Sequence, residues 1–378
     1  MKVERFSEEK YGLKGNPFLD DIAREEWLKT WVNREEQLEE WTKIIFNAIS
    51  STKNYIAFVI GDYGRGKSLS LLKIIDESKK HKEILPVYLN FKGEEKSKPG
   101  LDFMFRIFKS INFDDTRKDN KKNDLENAIE SLPDDLDEAK IILKKIYLGE
   151  EERKLALYFL RGELKPTQSQ LKKLEVLRKI DSVDIAKEYL SGFLGFIKKL
   201  GYSTLLLAVD EFEYLFSLVP KTQQSIYLAL LRGLYDFPLG VSKKVNDIAN
   251  MAFFIATSES SGWYRLEEMG KKEASTGGPI EPLLDRVDAK TILGVFDKEQ
   301  TRKLIESRLR YNRIKGKYED KPLIPFTDDF VEFIHEETGG LPRKIIVRCG
   351  HVLDVGLAER ISLLDKEFAR KALEERGF

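Results

Sequence analysis

The chain has 378 residues, of which 42% are hydrophobic and 34% are charged. This composition predicts a folded protein with a sizeable core and excludes a globally disordered chain. Lys and Arg together number 64, as do Asp and Glu, so the net charge of zero gives no overall attraction to nucleic acid. Any affinity for DNA must therefore come from a local basic patch.

Cysteine and histidine are scarce in this sequence. Cys349 is the single cysteine, and the three histidines are His81, His335 and His351. One thiol excludes an intramolecular disulfide, and the histidines lack the spacing of a metal site. Six of the first ten residues are charged, and no stretch reaches the roughly 18 apolar residues of a membrane span. We therefore expect a cytoplasmic protein that has no membrane partner.

The first part of the chain alternates helical and strand-like patterns. Residues 1–50 are predicted to form a helical N-terminal segment, because apolar side chains from residue 20 onward recur at helical spacing. Residues 55–60 and 85–90 are short apolar runs typical of buried parallel strands. Residues 68–79 have helical spacing, so together these segments predict a strand, helix, strand unit.

Residues 92–200 have a helical pattern and contain no strand-like run. This stretch is too long for an ordinary connection between strands and predicts an ordered helical insertion. Core strands are predicted to resume at residues 204–209, 251–257 and 290–295. The fold class is therefore α/β, with a parallel sheet, helices on both faces and a large insertion. We predict a core of residues 51–296 and an all-α C-terminal domain of residues 297–378.

A phosphate-binding pattern follows the first predicted strand. Residues 61–68 read Gly-Asp-Tyr-Gly-Arg-Gly-Lys-Ser, which matches G-x-x-x-x-G-K-[ST] before a predicted helix. The glycines let N–H groups converge on phosphates at the positive helix end. We expect Lys67 to neutralise the β- and γ-phosphates and Ser68 to ligate Mg²⁺. The pattern predicts a P-loop NTPase whose nucleotide contacts are Gly61, Asp62, Tyr63, Gly64, Arg65, Gly66, Lys67, Ser68 and Leu69.

Two carboxylates end the buried strand at residues 204–209. Asp210 and Glu211 lie where α/β proteins bind ligands, at the carboxyl edge of the sheet. We expect Asp210 to hold Mg²⁺, mainly through water, and Glu211 to orient and deprotonate the attacking water. This pair favours hydrolysis over nucleotide binding alone.

Polar residues also end two other strands. Thr257, with Ser258 as the second choice, is a candidate for holding the lytic water beside the γ-phosphate. A Thr-Ser pair after a strand is also typical of a helix cap or turn. Asn90 ends the second strand and is a candidate for holding Glu211 inactive until a ligand releases it. An ordinary strand-end asparagine is the alternative interpretation.

The order of these motifs resembles AAA+ ATPases, in particular the branch of origin-recognition initiators and TnsC- and MuB-like transposition regulators. Residues 11–18 (Tyr-Gly-Leu-Lys-Gly-Asn-Pro-Phe) and 32–37 (Val-Asn-Arg-Glu-Glu-Gln) resemble the initiator box that borders adenine. The resemblance implies that Val32 and Arg34 contact the base and that the nucleotide is ATP. It also implies assembly into a homo-oligomeric ring or filament.

Two arginines acquire roles from the same resemblance. Residues 282–286 (Pro-Leu-Leu-Asp-Arg) precede a predicted strand, where these families carry an arginine finger that reaches a neighbouring subunit's ATP. Arg286 is the candidate, with Arg265 as the second choice. Residues 339–343 (Gly-Gly-Leu-Pro-Arg) resemble the sensor 2 motif, which implies that Arg343 contacts the γ-phosphate from the lid.

A second resemblance concerns the insertion and the strand that follows it. Residues 158–163 (Tyr-Phe-Leu-Arg-Gly-Glu) and 200–202 (Leu-Gly-Tyr), together with Glu213, are similar to the ATP-binding proteins of BREX phage-defence systems and their archaeal relatives. The residues after the sensor 2 helix are too few for the winged-helix domain of replication initiators. We therefore expect a function other than origin initiation.

Two functions remain open at this stage. The first is an oligomeric ATPase that acts on DNA in phage defence, transposition or genome maintenance. Its DNA surface would be the basic cluster of Lys243, Lys244, Lys271 and Lys272 around Trp263 and Tyr264, for which a solvated charged face is the alternative. The second is a nucleotide-dependent switch that binds a protein partner and makes no DNA contact. Under either function we expect the insertion to bind the partner.

Overall fold

The computed structural model describes residues 6–19, 22–91, 99–118, 120–149, 151–236, 247–273, 278 and 280–377. Lys243 and Lys244 of the predicted basic cluster lie outside the described residues. Residues 92–98, at the start of the predicted insertion, also lie outside them. Within the described residues, no helix combines the length and the apolarity needed to cross a membrane.

A five-stranded sheet forms the centre of the fold. Its strands are β1 (Tyr55–Ile60), β2 (Ile84–Asn90), β3 (Thr204–Asp210), β4 (Asn250–Thr257) and β5 (Ala289–Ile292), in the order β2-β3-β4-β1-β5. β2, β3, β4 and β1 pair in parallel. Every residue of β3 and β4 is buried, so both faces of the sheet are covered. The predicted α/β parallel sheet is confirmed.

The helices are numbered in chain order. α1 (Glu35–Ser50) precedes β1, and α2 (Lys67–Ser78) connects β1 to β2. Between β2 and β3 lie α3 (Pro99–Ser110), α4 (Phe113–Lys118), α5 (Lys122–Glu130), α6 (Asp137–Tyr147), α7 (Arg153–Leu160), α8 (Gln168–Leu174) and α9 (Val183–Lys199). Between β3 and β5 lie α10 (Tyr214–Leu218), α11 (Lys221–Tyr235), α12 (Tyr264–Glu273) and α13 (Ile280–Leu284). After β5 come α14 (Lys298–Asn312), α15 (Asp328–Thr338), α16 (Pro342–Glu359) and α17 (Lys366–Glu374).

The predicted helical insertion is confirmed, and it shares one apolar core with the sheet. Phe193 and Phe196 of α9 belong to the same buried cluster as Leu205 and Phe253 of the central strands. α9 approaches α6 closely because it carries Gly192, where a Cβ atom would lie only 2.5 Å from the Cβ of Ala139. The insertion and the sheet therefore share one continuous core.

The chain forms two compact units, each assembled from separate stretches. One contains residues 1–39, 61–73 and 292–378, and the other contains residues 40–60 and 74–291. In the first unit, Tyr11, Leu13 and Phe18 join the buried core of the C-terminal helices. The Tyr11 hydroxyl donates a hydrogen bond to the carbonyl of Ile361. The domain boundaries predicted at residues 50 and 296 remain predictions.

Two predicted segments differ from the observed ones. The helical pattern of residues 20–50 is interrupted before α1, because Asn33 adopts a left-handed conformation with φ of 67° and its side-chain amide donates to the carbonyl of Gln300. The last strand ends at Ile292 and not at residue 295. The carbonyls of Leu293 and Gly294 accept hydrogen bonds from the side chains of Arg65 and Arg34. These two residues therefore do not extend the strand.

Asn54 supplies hydrogen bonds to three backbone groups in the second unit, two of them buried and one part-buried. Its side-chain oxygen accepts from the N–H of Met251 at 2.7 Å, and its amide donates to the carbonyls of Leu234 at 3.2 Å and Tyr235 at 2.8 Å.

We expect Asn54→Leu to lower the free energy of unfolding by about 2–4 kcal/mol, since buried unpaired polar groups are costly. Urea unfolding would measure this. Asn123→Leu, the same substitution at an exposed position of α5, is the control, and an equal loss in both variants would contradict the assignment.

Candidate functional site

The phosphate-binding loop has the backbone that its sequence predicts. Gly64 and Gly66 adopt left-handed conformations with φ of 82° and 93°, which side chains other than glycine rarely tolerate. α2 begins at Lys67, and its first turn carries no acidic residue. The N–H of Ser70 donates to the carbonyl of Gly66 at 2.9 Å, so the loop leads directly into the helix. This arrangement presents a positive helix end and curled N–H groups to an anion.

Arg343 lies against this loop within the same compact unit. Its backbone N–H donates to the carbonyl of Gly64 at 3.2 Å, and its guanidinium lies 4.4 Å from the centroid of the Tyr63 ring. A Cβ atom on Gly64 would lie 2.9 Å from the Cβ of Arg343, so glycine is needed for this approach. Arg343 and Lys344 occupy the first turn of α16, where two cations face the positive end of a helix. Such a turn favours an anionic ligand.

Two further arginines of this unit contact the segment after β5. Buried Arg34 donates to the carbonyl of Gly294 at 2.6 Å and lies 4.9 Å from the centroid of the Phe296 ring. Arg65 donates to the carbonyl of Leu293 at 3.2 Å. Burial and the charge of Arg65 lower the pKa of Arg34 to about 10, so Arg34 remains a cation at neutral pH. Val32 packs against the apolar core of the same unit.

The acidic pair lies in the other compact unit, at the end of β3. Asp210 is almost fully buried, and both of its carboxylate oxygens accept hydrogen bonds. Oδ1 accepts from the N–H of Glu211 at 2.8 Å, and Oδ2 accepts from the hydroxyl of Tyr88 at 2.5 Å. A carboxylate held at both oxygens has one fixed orientation.

Glu211 has a strained backbone and one side-chain oxygen without a hydrogen-bond partner among the described residues. Its φ of 58° is left-handed, which costs free energy for a residue with a Cβ atom and is typical of functional sites. Its Oε2 is buried, as is the Oγ1 of Thr257, and neither makes a hydrogen bond within the part of the chain that the structure describes. Buried polar atoms normally have partners, so these two are suited to a bound water or ligand.

The parallel pairing aligns the strand ends of this unit. Asn90 is in register with Asp210, and Ile60 is in register with Thr257. The carboxyl ends of β1, β2, β3 and β4 therefore lie at one edge of the sheet. Gly61, the first residue of the phosphate-binding loop, follows Ile60 directly in the chain.

Arg286 is bonded within its own chain. Its Nε donates to Asp236 Oδ1 at 2.8 Å, its Nη1 donates to the carbonyl of Pro282 at 2.6 Å, and its guanidinium lies 6.0 Å from the Tyr235 ring. The second choice, Arg265, donates to the carbonyl of Phe216 at 3.3 Å. Either arginine would have to exchange these contacts to reach a neighbouring subunit.

The described part of the predicted DNA surface is poorly suited to stacking. Trp263 is buried under Lys290, whose Nζ lies 4.6 Å from the indole ring, while Tyr264 is exposed. Lys272 pairs with Glu268 at 2.7 Å, which neutralises part of the cluster. Trp263 therefore presents no open face to a base.

The residues present suit a nucleotide and Mg²⁺. The two left-handed glycines and the start of α2 provide a phosphate cradle, and a Cβ atom at Gly66 would meet no atom of the described residues within 4 Å. Among the described residues, no group of three or more His, Cys, Asp or Glu side chains is placed to bind a metal. One carboxylate and one hydroxyl are the protein ligands expected for Mg²⁺, which retains water and phosphate oxygens. Asp210 and Ser68 are of these types.

The sequence motifs do not include Tyr88, although its hydroxyl contacts Asp210. It lies two residues before Asn90 on β2, so the two side chains share a face of the sheet, and Asn90 is in register with Asp210. A polar aromatic residue at this spacing from a strand-end asparagine was the available signal. The bond partner became visible only once β2 and β3 were known to be neighbours.

Comparisons with known proteins show similarity in part of the sequence. The family described as BREX system ATP-binding protein BrxC/D matches residues 117–246, which cover most of the insertion, β3 and α11. An uncharacterized HTH-type transcriptional regulator of Methanocaldococcus jannaschii is 28% identical over 96 residues, which is 25% of this chain and 23% of the regulator. The match thus spans about a quarter of that relative's length.

Solved structures extend the likeness to most of the chain. The Aeropyrum pernix ORC2 protein, solved in ADPNP and ADP complexes, matches with a TM-score of 0.56 and 15% identity over 95% of this chain and 71% of that one. The Aeropyrum pernix ORC1 protein in complex with DNA matches with a TM-score of 0.48 and 12% identity over 94% and 70%. The chain is therefore similar in fold to the Aeropyrum pernix ORC2 protein, and its central sequence, residues 117–246, is similar to the BREX system ATP-binding proteins BrxC/D.

Proposed function

We propose that this protein hydrolyses ATP with Mg²⁺, assembles as a homo-oligomer and acts on DNA. Hydrolysis is inferred from Glu211, which follows the fixed carboxylate of Asp210 directly in the chain. Its backbone is strained, and its buried Oε2 has no hydrogen-bond partner among the described residues. A protein that only bound nucleotide would have no need of such a residue. The Aeropyrum pernix ORC2 structure, solved with ADPNP and ADP, supports a nucleotide in this fold.

Each residue has a distinct role in this proposal. The loop from Gly61 to Leu69 binds the phosphates, with Lys67 neutralising their charge, and Val32 and Arg34 border the adenine. Arg343 contacts the γ-phosphate, because it already packs on the loop through Gly64 and Tyr63. Ser68 and Asp210 hold Mg²⁺, which would neutralise charge that develops on the phosphates.

The residues proposed to activate the attacking water lie at the carboxyl edge of the sheet. Glu211 accepts the proton of the attacking water, and the Thr257 hydroxyl holds that water in line with the phosphorus. Both buried oxygens lack a partner among the described residues, which leaves them ready to hydrogen-bond a water molecule. Asn90, at the neighbouring strand end, holds Glu211 inactive before a ligand arrives.

Two substitutions separate binding from hydrolysis. We expect Lys67→Ala to abolish nucleotide binding, because the phosphates lose their main counter-charge, and Glu211→Gln to keep binding but lower turnover by about a hundredfold or more. Binding of a fluorescent ATP analogue and release of phosphate would measure the two effects. Glu126→Gln, an exposed change on α5, is the control for Glu211. Normal turnover in Glu211→Gln would contradict the assignment of the base.

The arginine finger can be tested against the ion pair that Arg286 makes with Asp236. If Arg286 reaches the ATP of a neighbouring subunit, turnover per molecule should rise with protein concentration in the unaltered protein. Arg286→Ala should remove this rise, while Asp236→Ala should retain it. Both variants lose the same ion pair of 2.8 Å and so share its effect on stability. Single-turnover assays over a range of protein concentrations would measure this. Equal losses of turnover in the two variants would indicate a structural role for the pair.

A second candidate function is a nucleotide-dependent switch that binds a protein partner without touching DNA. It is favoured by the buried Trp263 and the Lys272–Glu268 ion pair, which weaken the predicted DNA surface. The insertion is the proposed binding element.

Salt dependence of DNA binding distinguishes the two functions. An ATPase that acts on DNA should bind a duplex with an affinity that falls steeply between about 50 and 200 mM salt, and the duplex should raise its turnover. Fluorescence anisotropy and phosphate release would measure both quantities. Unchanged turnover and a flat salt response would favour the protein-binding switch.

A further inference from the structure

Tyr88 makes the most direct contact with the proposed metal-holding carboxylate. Its hydroxyl donates to Asp210 Oδ2 at 2.5 Å, within the range of strong hydrogen bonds between a hydroxyl and a carboxylate. The two residues belong to the same compact unit, on the neighbouring strands β2 and β3. The bond is therefore fixed by the sheet and does not depend on a flexible segment.

The parallel register explains why the hydroxyl reaches Asp210. Tyr88 is in register with Ala208, two residues before Asp210, and Asn90 is in register with Asp210 itself. Side chains two residues apart on a strand point to the same face, so Tyr88 leans along that face toward the end of β3. A ring of this length spans the two-residue offset, whereas a serine or threonine at position 88 would be too short.

The two hydrogen bonds on Asp210 use different donors. The N–H of Glu211 holds Oδ1 at 2.8 Å, and this donor depends on the left-handed turn at Glu211. Tyr88 holds Oδ2 from the adjacent strand. Each carboxylate oxygen has a second lone pair, so both can still accept from a water molecule bound to a metal ion. The carboxylate is thus oriented without being blocked.

We propose that Tyr88 is a positioning residue that orients the Asp210 carboxylate for a hard divalent cation bound with the nucleotide. The inference rests on the proposed metal-dependent function. Tyr88 touches neither the reacting atoms nor the metal in this arrangement, because it acts through Asp210. Partners of this kind, which hold a metal-binding side chain in place, commonly change metal affinity by about 10–100-fold when removed.

A purely structural role is the competing explanation, and the chain offers a matched example of one. The hydroxyl of Tyr147 on α6 hydrogen-bonds Thr116 Oγ1 at 2.6 Å, in the buried interior of the insertion. Its partner is a neutral hydroxyl, and no residue of the proposed site contacts it in the described hydrogen bonds. Tyr147→Phe therefore removes a comparable buried hydroxyl from the same compact unit without altering Asp210.

The test measures how Mg²⁺ affects nucleotide binding without requiring turnover. Mg²⁺ would be titrated into a mixture of the full chain and a fluorescent, slowly hydrolysed ATP analogue, and binding of the analogue would be followed. The titration would be made with the unaltered protein, Tyr88→Phe and Tyr147→Phe. We expect Tyr88→Phe to raise the half-saturating Mg²⁺ concentration about tenfold and to leave the affinity for metal-free nucleotide unchanged. Tyr147→Phe should lower the unfolding midpoint and leave the Mg²⁺ titration unchanged.

The possible outcomes separate this inference from the proposed function. A Tyr88→Phe protein with an unaltered Mg²⁺ titration would overturn the positioning role while leaving the metal-dependent function standing. An equal shift in Tyr147→Phe would also overturn it, since general destabilisation would then explain the result. If nucleotide binding and turnover of the unaltered protein did not respond to Mg²⁺ at all, the proposed metal-dependent function itself would fail.

Discussion

The parallel pairing of β1, β4, β3 and β2 is the constraint on which the proposed site depends. Parallel strands end at the same edge, so residues far apart in the chain become neighbours there. Asn90, Asp210 and Thr257 each end one of these strands, and the phosphate-binding loop begins one residue after β1. A shift of one residue in register would turn the Asp210 side chain to the other face of the sheet.

Rigidity at this edge comes from burial of the neighbouring strands. β3 and β4 are buried along their whole length, and their core continues into the helical insertion through α9. This packing supports the left-handed backbone at Glu211, whose conformational cost of about 1–3 kcal/mol must be offset elsewhere. The insertion thus contributes to the stability of the unit that carries the acidic pair.

The sequence was informative wherever the chemistry depends on a contiguous motif in its expected context. The loop from Gly61 to Ser68, the acidic pair Asp210 and Glu211, the parallel sheet and the helical insertion were all predicted from periodicity and motif spacing. The weaker predictions concerned segment ends. The break at Asn33 and the end of β5 depend on hydrogen bonds with Gln300, Arg34 and Arg65, which local patterns do not report.

The sequence by itself determined which residue types are available for binding phosphate and activating water, because these types occur at fixed spacing within single motifs. Only the tertiary structure decided which side chains hold them in place. Tyr88 and Asp210 are separated by 122 positions, and their hydrogen bond exists because β2 and β3 are paired in one register. Likewise, Arg343 is recognisable in sequence as part of a motif, yet its packing on Tyr63 and Gly64 follows from the fold that joins distant stretches into one unit.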